Sequence, residues 1–143
     1  MTLEEASKPL VAVSSTAAPR GTETILLVDD ESAIRSVARI PLEQAGYVVI
    51  EASGGDEALA AVLACNITVA LLVTDVVMPR MSGNELARRL QEILPKVRVL
   101  YLSGYTANVI SDHGILEASV DFLQKPFSAV ELLTRVREIL ERQ

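Results

Sequence analysis

The chain has 143 residues, of which half are hydrophobic and only 3% aromatic, and its formal net charge is −6. This length suits one domain with a full core, and the acidic balance argues against nucleic acid as a direct ligand. A lone cysteine, Cys65, excludes an internal disulfide and is typical of a reducing cytoplasm, while the lack of a membrane-length apolar run predicts no direct membrane association.

The first segment differs in composition from the rest of the chain. Residues 1–21 are rich in Ser, Thr, Ala and Pro, with the run Ser14-Ser-Thr-Ala-Ala18 between Pro9 and Pro19. Such a composition buries little apolar surface and is typical of linkers. We therefore predict a flexible linker or tail over residues 1–21 and one folded domain over residues 22–143.

From Thr24 onwards, short apolar runs alternate with amphipathic stretches. The apolar runs predict strands at 24–28, 47–51, 70–74, 97–102 and 121–124. The amphipathic stretches predict helices at 31–45, 54–64, 84–94, 107–118 and 128–141. Five strand–helix units in succession imply a parallel sheet with helices on both faces. Of the doubly wound α/β folds, the flavodoxin-like one, with strand order 2-1-3-4-5, needs only five strands, and we predict this fold.

Several residues indicate the ends and faces of these helices. Ser128 and Glu131 have the spacing of a capping box at the start of the last helix. Pro41 removes a hydrogen bond inside the first helix and should bend it. Cys65 is expected to pack at the end of the second helix. On the last helix, helical spacing predicts a stripe of residues that faces the core, formed by Val130, Leu133, Val136, Arg137 and Leu140.

Three of the apolar runs are followed by charged residues. Asp29 and Asp30 follow the first run, Asp75 follows the third, and Lys125 follows the fifth. In the order 2-1-3-4-5 the first and third strands are neighbours, so these side chains should meet at the carboxyl edge of the sheet, where ligands bind in such folds. Carboxylates that lie this close disfavour their own ionised forms, so the cluster needs a cation, and an oxygen-only ligand set suits Mg2+.

The acidic loop after the first strand excludes the usual nucleotide and flavin sites, which offer backbone N–H groups of a glycine-rich loop to a phosphate. Asp29-Asp30-Glu31 would repel a bare phosphate, whereas a bound metal could hold a phosphoryl group.

Asp75 is then the candidate nucleophile that forms an acyl phosphate, and Lys125 would neutralise charge on the transferring oxygens. A cis bond between Lys125 and Pro126 would aim the lysine at the acids. Ser103, at the end of the fourth strand, could contact a phosphoryl oxygen from the far side.

The chain resembles the receiver (response-regulator) domain of bacterial two-component signalling over about residues 22–143, through Asp29-Asp30, Asp75-Val-Val-Met-Pro-Arg-Met-Ser-Gly83, Ser103-Gly-Tyr105 and Lys125-Pro-Phe127. The resemblance implies that Asp75 is the phospho-acceptor. It also implies that Mg2+, or Mn2+ in its place, is bound by Asp30, Asp75 and the backbone carbonyl of Val77, with Asp29 acting through water. Lys125 would contact the phosphoryl group, and Ser103 and Phe122 would be switch residues.

The same resemblance implies partners and a switching surface. The phosphoryl donor would be a phosphohistidine on a histidine kinase domain or on a histidine phosphotransfer protein. The predicted fourth helix, fifth strand and fifth helix would form a face that repacks on phosphorylation and could serve for dimerisation, with Tyr105, Val109, Ile110 and Phe122 along it. Such a domain catalyses its own phosphorylation and dephosphorylation without being a conventional enzyme, although its full-length parent could be a histidine kinase.

The residues around the motifs favour one subfamily. Residues 21–31, 72–79 and 122–128 resemble receivers fused to the C-terminus of hybrid sensor histidine kinases, on the cytoplasmic part of a membrane-anchored kinase. A free-standing single-domain regulator is the alternative, and a pseudo-receiver that only docks is a further one, which the intact acidic set disfavours. A phosphatase of the haloacid dehalogenase type would need a second acid two residues after the nucleophile, where Val77 stands instead.

Overall fold

The computed structural model describes residues 21–104 and 121–142, which form five strands and four helices. The strands are β1 (Thr24–Val28), β2 (Val48–Ala52), β3 (Leu71–Asp75), β4 (Arg98–Ser103) and β5 (Phe122–Gln124). The helices are α1 (Ser32–Gln44), α2 (Gly55–Cys65), α3 (Gly83–Ile93) and α4 (Ala129–Glu141), and none of these four has the length and apolar character needed to cross a bilayer. The helix predicted at 107–118 and residues 1–20 of the linker or tail predicted over 1–21 lie outside the described residues.

The five strands form one parallel sheet in the order β2-β1-β3-β4-β5. This order confirms the predicted flavodoxin-like topology, and each described element lies within one residue of its predicted bounds. Val28, the last residue of β1, pairs with Ala52 of β2 on one side and with Thr74 of β3 on the other. The carboxyl ends of β1 and β3 therefore lie side by side at the point where the strand order reverses.

Strands β1 and β3, which lie in the interior of the sheet, are buried on both faces. All of β3 and the last four residues of β1 are buried. Leu26 and Leu72 belong to the core under α2 and α3, whereas Ile25 and Leu71 belong to the core under α1 and α4, because alternate residues of a strand point to opposite faces. A strand covered on both faces needs apolar residues throughout, which explains the uninterrupted aliphatic runs in the sequence.

The helix ends agree with the sequence signals, with one exception. The Ser128 side chain accepts a hydrogen bond from the Glu131 N–H at 3.0 Å, and the Glu131 carboxylate accepts one from the Ser128 N–H at 2.8 Å, so the capping box of α4 is confirmed. Pro41 lies inside α1, which continues to Gln44. Cys65, the last residue of α2, is exposed, so the packing predicted for it is wrong.

The stripe predicted for α4 is partly wrong. Leu133 and Val136 are buried as expected, but Val130 is 62% exposed, and Leu132 and Ile139 complete the buried face instead. The sequence of α4 holds two overlapping rows of apolar residues at helical spacing. The position of the helix on the sheet decides which row is buried, and helical periodicity alone does not contain that information.

The chain enters the domain at the amino edge of the sheet, opposite the carboxyl ends of the strands. The N–H of Gly21, three residues before β1, donates a hydrogen bond to the carbonyl of Ala45 at 3.0 Å. Arg137 of α4 contacts the same edge, with Nη2 at 2.8 Å from Glu23 and Nη1 at 3.4 Å from the Tyr47 hydroxyl. These contacts tie the last helix to the start of the first strand.

Candidate functional site

Three carboxylates converge at the carboxyl edge of the sheet, as the sequence predicts. Asp29, Asp30 and Asp75 each place one oxygen atom within 4.8 Å of the others. Asp29 is fully buried and Asp75 is 7% exposed, whereas Asp30 is exposed to solvent. The two adjacent aspartates after β1 therefore occupy different environments, a difference that the sequence does not reveal.

Lys125 reaches this cluster from the end of β5. Its Nζ lies 3.1 Å from Asp29 Oδ2 and 3.5 Å from Asp75 Oδ1. The peptide bond between Lys125 and Pro126 is cis, the form that the sequence analysis considered as a way to aim the lysine at the acids. The backbone N–H of Lys125 also donates to the carbonyl of Ser103 at 2.8 Å, which attaches the lysine to the end of β4. One ammonium group thus lies between a buried carboxylate and an almost buried one.

The electrostatics of the cluster are dominated by burial. Burial raises the pKa of Asp75 from its ordinary value of 3.8 to about 6, with Lys125 opposing that rise and Asp29 adding to it. Burial also disfavours the charged form of Lys125, but the hydrogen bond from Lys125 to Asp29 and the charges of Asp29 and Asp75 outweigh it, so the pKa of Lys125 is raised. At neutral pH Asp75 is therefore ionised in an environment that disfavours its charge, and a further cation would stabilise it.

Replacing Asp75 with asparagine should stabilise the fold at neutral pH when divalent cations are absent. An acid whose pKa is higher in the folded than in the unfolded chain binds more protons when folded, so wild-type stability falls as the pH rises from about 4 to about 6. The rise in the Asp75 pKa from 3.8 to about 6 corresponds to at most about 3 kcal/mol. We expect the thermal unfolding midpoint of Asp75→Asn to exceed that of wild type by up to about 10 °C at pH 7.5, and by nothing at about pH 3, below both pKa values.

The matched control for that prediction is Asp30→Asn. It removes an exposed carboxylate from the same cluster, so we expect a change in the free energy of unfolding of less than about 0.5 kcal/mol. If Asp75→Asn and wild type unfold at the same temperature at pH 7.5, burial does not disfavour the Asp75 charge as described.

An open cleft of about 720 Å³ lies over the exposed side of the cluster. Asp30, Asp75 and Lys125 line it together with Val77 and other residues of the loop between β3 and α3. Ser103 is fully buried at the end of β4, directly after Leu102, which pairs with Asp75. The structure thus brings Asp30, Asp75, Val77 and Lys125 to one accessible surface and places Ser103 deeper.

Phe122 lies apart from the carboxylates, at the start of β5. It pairs with Tyr101 of β4 and packs, partly buried, against the core on the α2 and α3 side of the sheet. Lys125 lies three positions further along the chain, which corresponds to about 10 Å along a strand. Tyr105, Val109 and Ile110 of the predicted switching face lie outside the described residues, so the structure describes β5 and α4 of that face.

Two residues support the cluster in ways that the sequence analysis missed. The N–H of Gly83 donates to the Val76 carbonyl at 2.9 Å, and a Cβ at Gly83 would lie 2.1 Å from the carbonyl oxygen of Asp75, so this position has room only for glycine. Arg35 on α1 donates to the carbonyl oxygen of Asp29 at 2.5 Å. A positive charge near the start of a helix is unfavourable, because the helix dipole is positive at that end. The position of Arg35 early in α1 was therefore a sequence signal that its side chain serves another contact.

The sequence profile of the response regulator receiver domain matches residues 25–137, most of the chain. The chain belongs to this family. It is therefore a receiver domain with a phospho-acceptor role in two-component signalling, which confirms the interpretation of the sequence motifs. Receiver domains generally bind Mg2+ through acidic residues and interact with histidine kinases or phosphotransfer proteins, and this receiver has a carboxylate cluster of the required kind.

The receiver resembles both parts of larger kinases and small receiver proteins. The sensor kinase CckA of Brucella abortus is 40% identical over 123 residues, which are 86% of this chain but 13% of CckA. The response regulator receiver protein CpdR of the same bacterium is 33% identical over 81% of this chain and 95% of CpdR. Among solved structures, the receiver domain of the hybrid histidine kinase CckA is 37% identical, with a TM-score of 0.69, and the match covers 82% of this chain and 99% of that one.

Proposed function

We propose that this receiver accepts a phosphoryl group on Asp75 from a phosphohistidine in a Mg2+-dependent reaction. The observation that carries the assignment is the position of Asp75, which opens into the cleft from the end of β3 and lies 3.5 Å from Lys125. A carboxylate with a pKa of about 6 is still ionised at neutral pH, and it is more basic than an ordinary aspartate. Both properties suit a nucleophile that forms an acyl phosphate.

The oxygen ligands of the cluster fit a hard divalent cation. We propose that Asp30, Asp75 and the backbone carbonyl of Val77 hold Mg2+, for which Mn2+ could substitute. Asp29 would act through water, because its Oδ2 is already paired with Lys125 and its Oδ1 accepts the Glu31 N–H at 2.9 Å. When bound, the metal supplies positive charge beside the transferring phosphoryl oxygens.

Asp75, Lys125 and the switch residues have different roles in the proposed phosphoryl transfer. An oxygen of the Asp75 carboxylate bonds to phosphorus while the phosphorus–nitrogen bond of the donor histidine breaks, and the imidazole leaves with the electron pair. Lys125 is placed to pair with the phosphoryl oxygens. Ser103 and Phe122 are the proposed switch residues, and the burial of Ser103 means that its hydroxyl must become accessible before it contacts the phosphoryl group.

The relatives support a proposal for the donor and for the parent protein. A histidine kinase domain or a histidine phosphotransfer protein is the proposed donor, and a hybrid sensor histidine kinase acting in the cytoplasm is the proposed parent, which the identity to the sensor kinase CckA supports. A free-standing regulator is the second candidate, because the match to CpdR covers 95% of that protein. The switching face formed by the predicted helix 107–118, β5 and α4 is the proposed surface for a partner or for dimerisation.

Incubation with Mg2+ and acetyl phosphate or phosphoramidate, followed by measurement of the intact mass, tests the proposed reaction. We expect one added phosphoryl group on wild type, and none on Asp75→Asn, on Asp75→Ala or on wild type without Mg2+. Absence of the adduct on wild type that binds Mg2+ would favour a pseudo-receiver that only docks. Continuous hydrolysis of assorted phosphoesters would favour a phosphatase.

A further inference from the structure

We infer that Arg35 is a positioning residue for the metal site, acting through the peptide group that joins Asp29 to Asp30. The inference rests on the proposed function, because it assumes that the carboxylate cluster binds Mg2+. Arg35 lies on α1, and the contacts described for its side chain are with the Asp29 carbonyl and with Glu51. Arg35 therefore contacts the backbone beside the metal ligands and does not line the cleft itself.

The guanidinium of Arg35 is held between two acceptors. Its Nη1 donates to the Asp29 carbonyl oxygen at 2.5 Å, and its Nε donates to Glu51 Oε1 at 3.1 Å. The other carboxylate oxygen of Glu51 lies 3.0 Å from Nε of Arg39, so Glu51 is shared between two arginines. The Arg35 side chain is 18% exposed, and charge-assisted hydrogen bonds at such partly buried positions are about twice as strong as neutral ones. The contact therefore holds the carbonyl firmly.

The orientation of this carbonyl determines where Asp30 points. The carbonyl of Asp29 and the N–H of Asp30 belong to one planar unit, so fixing that plane constrains ψ of Asp29 and φ of Asp30. Those two angles set the direction in which the Asp30 side chain leaves the backbone. The Asp29 side chain is anchored by Lys125 and by the Glu31 N–H, whereas Asp30 is exposed in the cleft. A backbone contact beside Asp30 can therefore orient this ligand before the metal arrives.

The charge of Arg35 and its geometry have opposite effects on a metal, which makes them separable. As a cation, Arg35 opposes Mg2+ binding, although Glu51 offsets that charge. As a hydrogen-bond donor, it favours binding by holding Asp30 in place. Removal of the charge alone would tighten Mg2+ binding, and removal of the orientation would weaken it. A purely structural ion pair between α1 and β2 would change the stability of the fold and leave the Mg2+ affinity unchanged.

Calorimetric titration with MgCl2 at pH 7.5, on the whole chain, tests this role. We expect the Kd of Arg35→Ala for Mg2+ to rise about tenfold, the effect of losing a contact that orients a metal ligand. Arg35→Lys keeps the positive charge but loses the planar guanidinium with its several N–H donors. Its Kd for Mg2+ should therefore lie between those of Arg35→Ala and wild type. Arg39→Ala is the matched control: it removes the other cation on Glu51, and its described contacts are with Glu51 and Glu43. Its Kd should stay within about twofold of wild type.

The outcomes separate this inference from the proposed function. No Mg2+ binding by wild type would overturn both. Binding by wild type with an unchanged or smaller Kd in Arg35→Ala would overturn the inference alone. An equal loss of affinity in Arg39→Ala would also overturn it, because Glu51 and not the Asp29 carbonyl would then be the important partner. If Arg35→Ala does not fold, Arg35→Lys decides, and a wild-type Kd in that variant contradicts a role that depends on the planar guanidinium.

Discussion

Replacement of Lys125 with methionine is expected to slow the phosphorylation of Asp75 by acetyl phosphate by about 100-fold or more. The Lys125 ammonium lies 3.5 Å from Asp75 Oδ1 and is held there by Asp29, so it is positioned before any phosphoryl group arrives. Removal of one such preorganised charge from a site where negative charge develops reduces rates by about 10²–10³-fold. The measurement is the rate at which the phosphorylated mass appears at saturating Mg2+.

The same substitution should also destabilise the folded protein. It leaves Asp29 and Asp75, whose side chains are 0% and 10% exposed, without their shared cation, and loss of one partner from a buried ion pair costs about 3–5 kcal/mol. Mg2+ should restore part of this stability, since a cation that binds only the folded state stabilises it. Lys96→Met, at an exposed lysine beside the amino end of β4, is the control and should change neither rate nor stability measurably. A wild-type phosphorylation rate in Lys125→Met would exclude the proposed role.

Gly83→Ala is expected to lower the free energy of unfolding by about 3 kcal/mol and the unfolding midpoint by about 10 °C. The added Cβ would lie 2.1 Å from the carbonyl oxygen of Asp75 and 3.2 Å from Thr74 Cγ2. The nearest of these atoms is backbone, so the conflict is relieved only by moving α3 or the end of β3. Movement of the end of β3 displaces Asp75, and movement of α3 displaces the loop that carries Val77 in the cleft, so we expect phosphorylation to fall together with stability.

Gly54→Ala is the matched control for this substitution. A Cβ at Gly54 would meet nothing within 4 Å, and Gly54 precedes α2 in an extended conformation that any residue adopts. Its replacement should change the free energy of unfolding by less than about 1 kcal/mol, through the weaker capping by alanine, and should leave phosphorylation intact. Equal unfolding midpoints for the Gly83→Ala and Gly54→Ala proteins would refute the steric argument.

The fold could be predicted because its signals are local. β1 and β3 are covered on both faces, so they appear in the sequence as uninterrupted aliphatic runs, and Ser128 with Glu131 marks the start of α4. The convergence of the acids with Lys125 then followed from strand order alone. Parallel strands place their carboxyl ends at one edge, and the order 2-1-3-4-5 makes the first and third strands neighbours.

What could not be predicted depends on contacts between elements. Asp29 and Asp30 are adjacent and chemically identical, and only the position of Lys125 and the packing around the end of β1 make one buried and the other exposed. The contact of Arg35 with the Asp29 carbonyl depends on how α1 packs beside β1. The face that α4 buries, with Ile139 inward and Val130 outward, likewise depends on where the helix docks. No spacing rule within one segment contains these relationships.

The hydrogen bond between Gly21 and Ala45 has a consequence for how a phosphodonor approaches. It holds the point where the chain enters the domain at the amino edge of the sheet, and the five residues of β1 separate that edge from Asp29 by about 17 Å. The chain that precedes Gly21 is therefore joined to the domain at the edge of the sheet opposite the cleft. Gly21 therefore does not obstruct the cleft where the proposed donor histidine would dock, and this position is compatible with a donor on another molecule and with a donor on the same polypeptide. The choice between the two is then a question of effective concentration, set by the reach of the preceding chain and not by the shape of the site.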